Sequence, residues 1–233
     1  MAIYVSGDIH GTIDIDKLVH FFDQNTQIKE TGEKNYLIIL GDVGVCWDDG
    51  ANDAQVLHTL LHLPVDKVLF IDGNHENFDL LHDYPVTTWN GGMVHEIDAK
   101  ILHLMRGQIF EIEGKTFFTF GGATSIDKIN RRKGIDWWPE ELPNEEEYER
   151  GRNILAEHHY AVDYILTHTA PREVIYELGF DDSYYEDEAE LRHYLQEIAE
   201  TVDFKAWFFG HFHEDESVDD TFHCLFYEII KIP

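Results

Sequence analysis

The sequence is poor in several features that would place it in other classes of protein. It has only two cysteines in 233 residues, Cys46 and Cys224, which excludes a disulfide framework. It has only six prolines, and no Pro/Gly/Ser-rich linker divides it, so we expect one domain over residues 1–233. Its apolar runs are too short to span a bilayer, and it opens on a strand-like run rather than a signal sequence. We therefore expect a cytoplasmic protein without a membrane partner.

Basic residues are also scarce. Seventeen lysines and arginines face 46 aspartates and glutamates, which gives a formal net charge of −29. Such a surface repels an extended polyanion, so we expect no binding to extended duplex nucleic acid. Two bound divalent cations would add about four positive charges at one point, and they could still attract a small phosphate ester. The sequence gives no signal for an oligomeric state.

The chain does contain five short polar clusters, each of which follows an apolar run that is typical of a buried strand. The clusters are residues 7–11, 41–42, 73–76, 167–168 and 210–213. Because ligands bind beyond the carboxyl ends of strands in open α/β sheets, we expect the clusters to meet in one crevice. Their aspartates, asparagine and histidines are the mixed oxygen and nitrogen ligands that hold borderline divalent metals. The pattern predicts a two-metal site.

The spacing within the clusters supports this prediction. Asp8 and His10 are two residues apart, as are His211 and His213, so each pair would project to one side of an extended backbone. A shared carboxylate such as that of Asp42 can bridge two cations about 3.5–4 Å apart. Any single cluster has a simpler explanation, since a Gly-Asp turn or a structural histidine is common. The five clusters in order are what favour a metal centre.

These residues predict a particular reaction. Asn74 would add a neutral amide oxygen to the metal ligands. A metal-bridging water or hydroxide would attack phosphorus, with Asp42 holding the metals, and His75 would protonate the departing oxygen. The predicted function is hydrolysis of a phosphomonoester or phosphodiester. The alternative is a metal-stabilised binding or regulatory protein that keeps the same scaffold without catalysis.

From residue 7 to residue 213 the motifs resemble, in order, those of the calcineurin-like metallophosphoesterase superfamily. The resemblance implies an α/β fold, a four-layer α/β/β/α sandwich in which helices flank two mixed β-sheets. It also implies that His75 is the proton donor and that two divalent metals bind, manganese first, with iron, zinc or nickel as alternatives. The implied ligands are Asp8, His10, Asp42 and His213 for the first metal, and Asp42, Asn74, His168 and His211 for the second.

The substrate is less well defined. The protein serine/threonine phosphatase branch carries an Asp-Arg-Gly after the second motif, whereas here residues 43–47 read Val-Gly-Val-Cys-Trp and lack that arginine. Residues 125–141 resemble small bacterial and phage members of the superfamily. We expect residues 121–152 to form a loop that faces the site. Its basic side chains are then candidates to bind substrate phosphate together with Asn74, although a solvated charge run is an equal alternative. These side chains are Lys128, Arg131, Arg132 and Lys133.

Outside the clusters, the periodicity predicts several elements. Apolar residues at helical spacing indicate helices over 14–27 and 52–63, with Asp14 and Asn52 as their N-caps. A β-hairpin is expected over residues 108–120, and the loop at 121–152 should run into a helix near Glu145. Residues 181–200 indicate an acidic helical stretch, and residues 222–230 closing strands.

Overall fold

The computed structural model describes residues 2–26, 28, 34–180 and 186–233. The strands are β1 (Ala2–Ser6), β2 (Asn35–Ile39), β3 (Lys67–Phe70), β4 (Val86–Trp89), β5 (Gly92–Glu96), β6 (Ile101–Leu104), β7 (Gln108–Ile112), β8 (Lys115–Phe120), β9 (Tyr164–Thr167), β10 (Ala206–Phe209), β11 (Glu216–Val218), β12 (Phe222–Cys224) and β13 (Ile229–Ile232). The α-helices are α1 (Asp16–Gln24), α2 (Ala51–His62), α3 (Phe78–Asp83), α4 (Glu145–Glu157), α5 (Arg172–Glu177) and α6 (Ala189–Thr201). None of the described helices is long and apolar enough to cross a membrane.

The strands form two mixed sheets. The first has seven strands in the order β13-β1-β2-β3-β6-β5-β4, and the second has six in the order β11-β12-β10-β9-β8-β7. In the first sheet β1, β2, β3 and β6 run parallel, while β13 and β5 pair antiparallel to their neighbours in this block. In the second, β12, β10, β9 and β8 run parallel between antiparallel β11 and β7. The predicted pair of mixed sheets is confirmed.

Alternating side chains along the strands build the layers. In β1, Tyr4 packs outward with Leu18 of α1, while Val5 belongs to the core between the two sheets. In β10, Phe208 lies in that same inner core, while Phe209 packs outward among the residues of α4, α5 and α6. Because successive strand residues point to opposite faces, each sheet has one helix-covered face and one face against the other sheet. The result is the predicted four-layer α/β/β/α sandwich.

Most of the predicted elements are present. The hairpin consists of β7 and β8, joined at Glu113 and Gly114, whose φ angles of 54° and 75° suit a tight hairpin turn. Helix α4 begins at Glu145 behind an Asn144 capping box, as the sequence indicates. Strands β12 and β13 close the chain. Of the acidic stretch, residues 181–185 lie outside the described residues, and its helix runs over Ala189–Thr201.

The predicted N-caps are wrong. The two helices have Ile15 and Gly50 at their N-cap positions, without a side-chain capping bond. Asn52 lies inside α2, which begins one residue earlier. Asp14 instead places Oδ2 at 2.9 Å from Nδ1 of His10. The Asp14 carboxylate therefore orients a predicted metal ligand rather than capping a helix.

Candidate metal centre

The five polar clusters lie at the carboxyl ends of β1, β2, β3, β9 and β10. The first three strands are parallel neighbours in one sheet, and the last two are parallel neighbours in the other. Contacts between the sheets bring the two sets together. Nδ1 of His168 lies 2.6 Å from the carbonyl oxygen of Leu40, and the backbone N–H of His211 donates to Oδ1 of Asp8 over 3.0 Å. The five clusters therefore meet in one crevice, as expected, and the strand ends of both sheets form it.

One group of potential ligands surrounds Asp8. The ligand atoms of Asp8, His10 and His213 all lie within 4.8 Å of one another. Nε2 of His213 is 3.3 Å from Oδ2 of Asp8, and Nε2 of His10 is 3.5 Å from Oδ2 of Asp42. The structure therefore brings together all four side chains that the sequence assigns to the first metal.

A second group contains Asp8, Asp42 and His168, again within 4.8 Å. Nε2 of His168 is 3.5 Å from Oδ1 of Asp42 and 3.1 Å from Oδ1 of Asn74. His211 belongs to neither group, although its ring centroid lies 5.1 Å from that of His168. Three of the four side chains assigned to the second metal thus converge, and the fourth lies beside them.

The surroundings of His168 show that these residues fit a metal. A carbonyl oxygen can only accept, so Nδ1–H of His168 donates to Leu40. Burial lowers the pKa of His168, but Asp42 and Asp8 raise it above its ordinary value, so Nε2 can hold a proton that faces the acceptor oxygens of Asn74 and Asp42. In the neutral ring Nε2 has a lone pair, and a cation at this point would take the place of that proton. The lone pairs of Nε2 and of the two oxygens then point at one place, where a cation can bind all three atoms. This is the donor arrangement of a metal site, with Nδ1 fixed by a backbone carbonyl.

The charges at the centre are unusual. Asp8 is completely buried and Asp42 is 1% exposed, and among the described residues only histidines lie within ion-pairing distance of them. Burial raises the pKa of both carboxyls, but the surrounding histidines, His168 first among them, more than offset it and hold the pKa of each below its ordinary value. Burial lowers the pKa of His10, yet Asp42 raises it to about 9. The buried negative charge attracts cations.

The backbone is strained at the same place. Several non-glycine residues of the clusters have left-handed φ angles, which cost energy and concentrate at functional sites. They are His10 (43°), Asp42 (51°), His211 (68°) and His213 (54°). Glycine is required beside them, because a Cβ atom on Gly73 would lie 2.1 Å from Oδ1 of Asp42.

His75 lies at the edge of the centre. Its backbone N–H donates to Oδ1 of Asp42 over 2.7 Å, and Nη1 of Arg131 donates to its Nδ1 over 2.9 Å. Nη2 of Arg131 also lies 3.5 Å from Nε2 of the ring. Since arginine can only donate, these contacts favour the neutral ring over the imidazolium, in which both nitrogens carry protons. Burial lowers the pKa of His75, Asp42 opposes this shift, and Arg131 adds to it.

The predicted basic residues are placed differently from one another. Arg131 lines a cavity of about 550 Å³ together with His10 and His75. The Arg132 side chain is 74% exposed and pairs with Asp136. The Lys128 ammonium pairs with Asp187. Only Arg131 of these three is brought to the centre.

Sequence reasoning missed the residues that hold Asn74. Nδ2 of Asn74 donates to Oγ of Ser125 over 3.2 Å, and the backbone N–H of Ser125 donates to Oε1 of Glu141 over 3.1 Å. These contacts turn the amide so that its oxygen faces His168. The only signal for Ser125 and Glu141 in the sequence is their position in the 121–152 segment.

Comparison with known proteins gives the family. The chain matches the family model of the calcineurin-like phosphoesterases over residues 1–215. No curated protein matches it. Among solved structures it is similar to phosphopantetheinyl hydrolase (PptH) from Mycobacterium tuberculosis, with 17% identity, a TM-score of 0.47, and coverage of 97% of this chain and 89% of that chain. It is also similar to the sulfate thiohydrolase SoxB from Thermus thermophilus, with 12% identity, a TM-score of 0.46, and coverage of 97% and 51%. The chain belongs to the calcineurin-like phosphoesterase family.

Proposed function

We propose that this protein is a metal-dependent phosphoesterase that hydrolyses a phosphomonoester or a phosphodiester at a two-metal centre. The observation that carries the proposal is the burial of Asp8 and Asp42 among imidazoles, with no lysine or arginine ion-paired to their carboxylates in the described part of the chain. Lys17, the lysine beside Asp8, donates to its backbone carbonyl oxygen. Two carboxylates in this setting need cations, and the family normally binds a dinuclear metal centre.

The ligands in this proposal are Asp8, His10, Asp42, Asn74, His168, His211 and His213. They offer oxygen and imidazole nitrogen without thiolate, which suits manganese, with iron, zinc or nickel as alternatives. Two such cations would supply Lewis-acid stabilisation of the phosphoryl oxygens and a water of lowered pKa as nucleophile. Asp8 belongs to both ligand groups, and Asp42 places Oδ2 3.5 Å from Nε2 of His10 and Oδ1 3.5 Å from Nε2 of His168, so Asp42 would help to hold the two ions close together.

His75 is the proposed proton donor. Arg131 contacts Nδ1 of the ring and favours its neutral form. A substrate phosphate that draws Arg131 away from Nδ1 would favour the protonated imidazole, which can then protonate the departing oxygen. Arg131 is positioned to bind a phosphoryl oxygen next to that ring. The sequence also suggests Arg132 and Lys128 for phosphate binding, but their contacts with Asp136 and Asp187 do not add support.

The test is a manganese-supplemented assay with p-nitrophenyl phosphate and bis-p-nitrophenyl phosphate. We expect Asp42→Asn to lose both metal and activity. We expect His75→Ala to keep about two metals per chain while kcat falls by about 10²–10⁴, the usual contribution of a general acid. Near-normal turnover in both variants would contradict the mechanism. Wild-type protein that binds two metals yet hydrolyses neither ester would favour the non-catalytic binding role.

A further inference from the structure

The 550 Å³ cavity beside the metal centre begins at the residues of the proposed chemistry. His10, a proposed metal ligand, and His75, the proposed proton donor, both line it. Their ring centroids are 6.0 Å apart. A volume of this size lies within the range of pockets that bind small molecules. The cavity therefore extends from the point where the ester bond would be broken.

The position of His75 shows which part of a substrate the cavity would receive. A proton donor must lie within hydrogen-bond reach of the departing oxygen. The group attached to that oxygen then extends away from the metals past His75. The ring centroid of Trp47 is 6.4 Å from that of His75, and Trp47 forms part of the same cavity wall. The cavity is therefore on the leaving-group side of the site.

Most of the accessible surface of the cavity wall is apolar, although seven of its eleven lining residues have polar side chains. Ile13 lines the cavity and is 78% exposed, which is unusual for a large aliphatic side chain on a soluble surface. Five of the nine exposed large hydrophobic residues in the described chain lie in loops that carry or adjoin the site. These five are Ile13, Ile126, Ile129, Ile135 and Tyr227. Concentrated apolar exposure of this kind marks a binding surface.

The charges of the wall exclude an anionic occupant. Asp53 and Asp136 also line the cavity, and Arg131 is the one basic residue of the wall. Nε of Arg131 pairs with Asp127 over 2.7 Å, so its charge is already partly balanced. Asp136 pairs with Arg132, and Oδ2 of Asp53 accepts from the backbone N–H groups of residues 47–49. A second phosphate or a carboxylate in this cavity would therefore lie beside two carboxylates and one partly balanced arginine.

We propose that the cavity binds the alcohol portion of the substrate, and that the substrate is a phosphate ester of an uncharged, apolar alcohol or phenol. This inference rests on the proposed function. In the reaction the bond between phosphorus and the ester oxygen breaks, and the oxygen of water bonds to phosphorus while one of its protons passes to solvent, from which His75 is reprotonated. The released oxygen takes the proton of His75, and the apolar alcohol leaves through the cavity.

The test separates binding from turnover. Non-hydrolysable n-alkylphosphonates from ethyl to octyl are titrated calorimetrically into manganese-loaded protein. We expect affinity to rise by about threefold for each added methylene over the first several carbons, as burial of apolar surface predicts. Ile13→Ser should reduce this increment, whereas Val86→Ser should leave it unchanged, because Val86 is also aliphatic and half exposed but lies on strand β4, outside the cavity.

Affinity that does not change with chain length would overturn the inference, as would the same increment in wild-type protein and Ile13→Ser. A phosphonate with a carboxylate at the end of its chain should bind more weakly than the alkyl compound of equal length. Tighter binding of the carboxylate compound would also overturn the inference. Because binding is measured without hydrolysis, these outcomes remain readable if the protein fails to hydrolyse any ester, which would contradict only the proposed function.

Discussion

In the described part of the chain, histidines meet buried aspartates in two clusters, and the clusters differ in charge balance. At the metal centre, Asp8 and Asp42 are paired only with histidines in the described chain. The second cluster is built around Asp72, which is also buried. Nε of Arg106 donates to Oδ2 of Asp72 over 2.8 Å, so this carboxylate has a permanent cation beside it. Burial raises the pKa of Asp72, but Arg106 holds it well below its ordinary value.

The histidines of the second cluster satisfy one another. Nε2 of His103 lies 3.1 Å from Oδ1 of Asp72, and Nδ1 of His103 lies 2.9 Å from Nδ1 of His95. A carboxylate can only accept, so His103 donates through Nε2 and accepts through Nδ1 from His95. This chain of hydrogen bonds is complete without a ligand. Proximity of histidine to aspartate is therefore a poor guide to a metal centre, and uncompensated carboxylate charge is a better one.

Removal of the metal should change activity and Tm through the metal centre and not through the second cluster, and we expect this to be the largest difference between them. Chelation should abolish phosphoesterase activity and lower the Tm, because a cation bound only by the folded state at 100 times its Kd contributes about 2.7 kcal/mol. Added Mn²⁺ should restore both. The Tm of Asp42→Asn should hardly respond to Mn²⁺, while that of His95→Gln should respond as in the wild type. Equal responses of both variants, measured by scanning calorimetry, would mean that the metal lies elsewhere.

Removing the cation of the second cluster should cost stability rather than activity. Arg106→Met leaves the buried charge of Asp72 without its partner, which typically costs about 3–5 kcal/mol. Urea unfolding of the metal-free protein measures the loss. The matched control is Arg152→Met, since Arg152 pairs with Glu197 while both side chains are more than 40% exposed. Such a surface pair contributes only about 0–1 kcal/mol. Similar losses in the two variants would contradict the structural role of Arg106.

The sequence predicts the convergence of the candidate metal ligands better than the residues around them, for a physical reason. Asp8, His10 and Asp42 directly follow strands, so the parallel order of the strands determines where they lie. Arg131 and Arg132 are sequence neighbours in an irregular segment without periodicity. One contacts His75, while the other is largely exposed. No local pattern distinguishes them, because the difference arises from packing of the segment against the site.

Tertiary packing also explains why the sequence did not reveal the residues that position Asn74 and why the predicted N-caps were wrong. The bond from Asn74 to Ser125 joins positions 51 residues apart and depends on how two loops meet. Asp14 has the residue type and position of a cap, but a stronger partner is available in His10. The fold class and the ligand types are local or motif properties, whereas the choice of hydrogen-bond partner is a tertiary one.

Ser125→Ala tests this support with a smaller expected effect. Without the Ser125 hydroxyl, the Asn74 amide loses the acceptor that turns its oxygen toward His168. Loss of such a supporting contact typically weakens metal binding by about 10–100-fold. Calorimetric Mn²⁺ titration should show weaker binding of one of the two ions. Ser125→Thr, which keeps a hydroxyl, should recover part of the affinity. The control is Ser217→Ala, on the exposed strand β11. Unchanged Mn²⁺ affinity in Ser125→Ala would show that the contact does not position Asn74.

The smallest expected effect is a pH dependence in the second cluster. Burial lowers the pKa of His95 to about 3, with contributions from the neighbouring His103 and His82 against the opposing charge of Asp72. An unfolded histidine titrates near 6.5, so between about pH 6.5 and pH 3 the unfolded state binds more protons at this position than the folded state. Folding stability contributed by neutral His95 is therefore complete above about pH 6.5 and is lost as the pH falls toward 3.

His95→Gln removes this titration while keeping a side-chain amide that can donate to His103. The free energy of unfolding of the wild type should decrease faster than that of the variant as the pH falls, by no more than about 1.4 kcal/mol for each unit below 6.5. Urea unfolding of metal-free protein at several pH values between 7.5 and 4.5 measures the difference between the two. A difference that stays constant over this range would mean that His95 takes up its proton in the folded state as readily as in the unfolded one. The second cluster would then not be a closed, neutral chain of histidines. It would lack the property that distinguishes it from the metal centre.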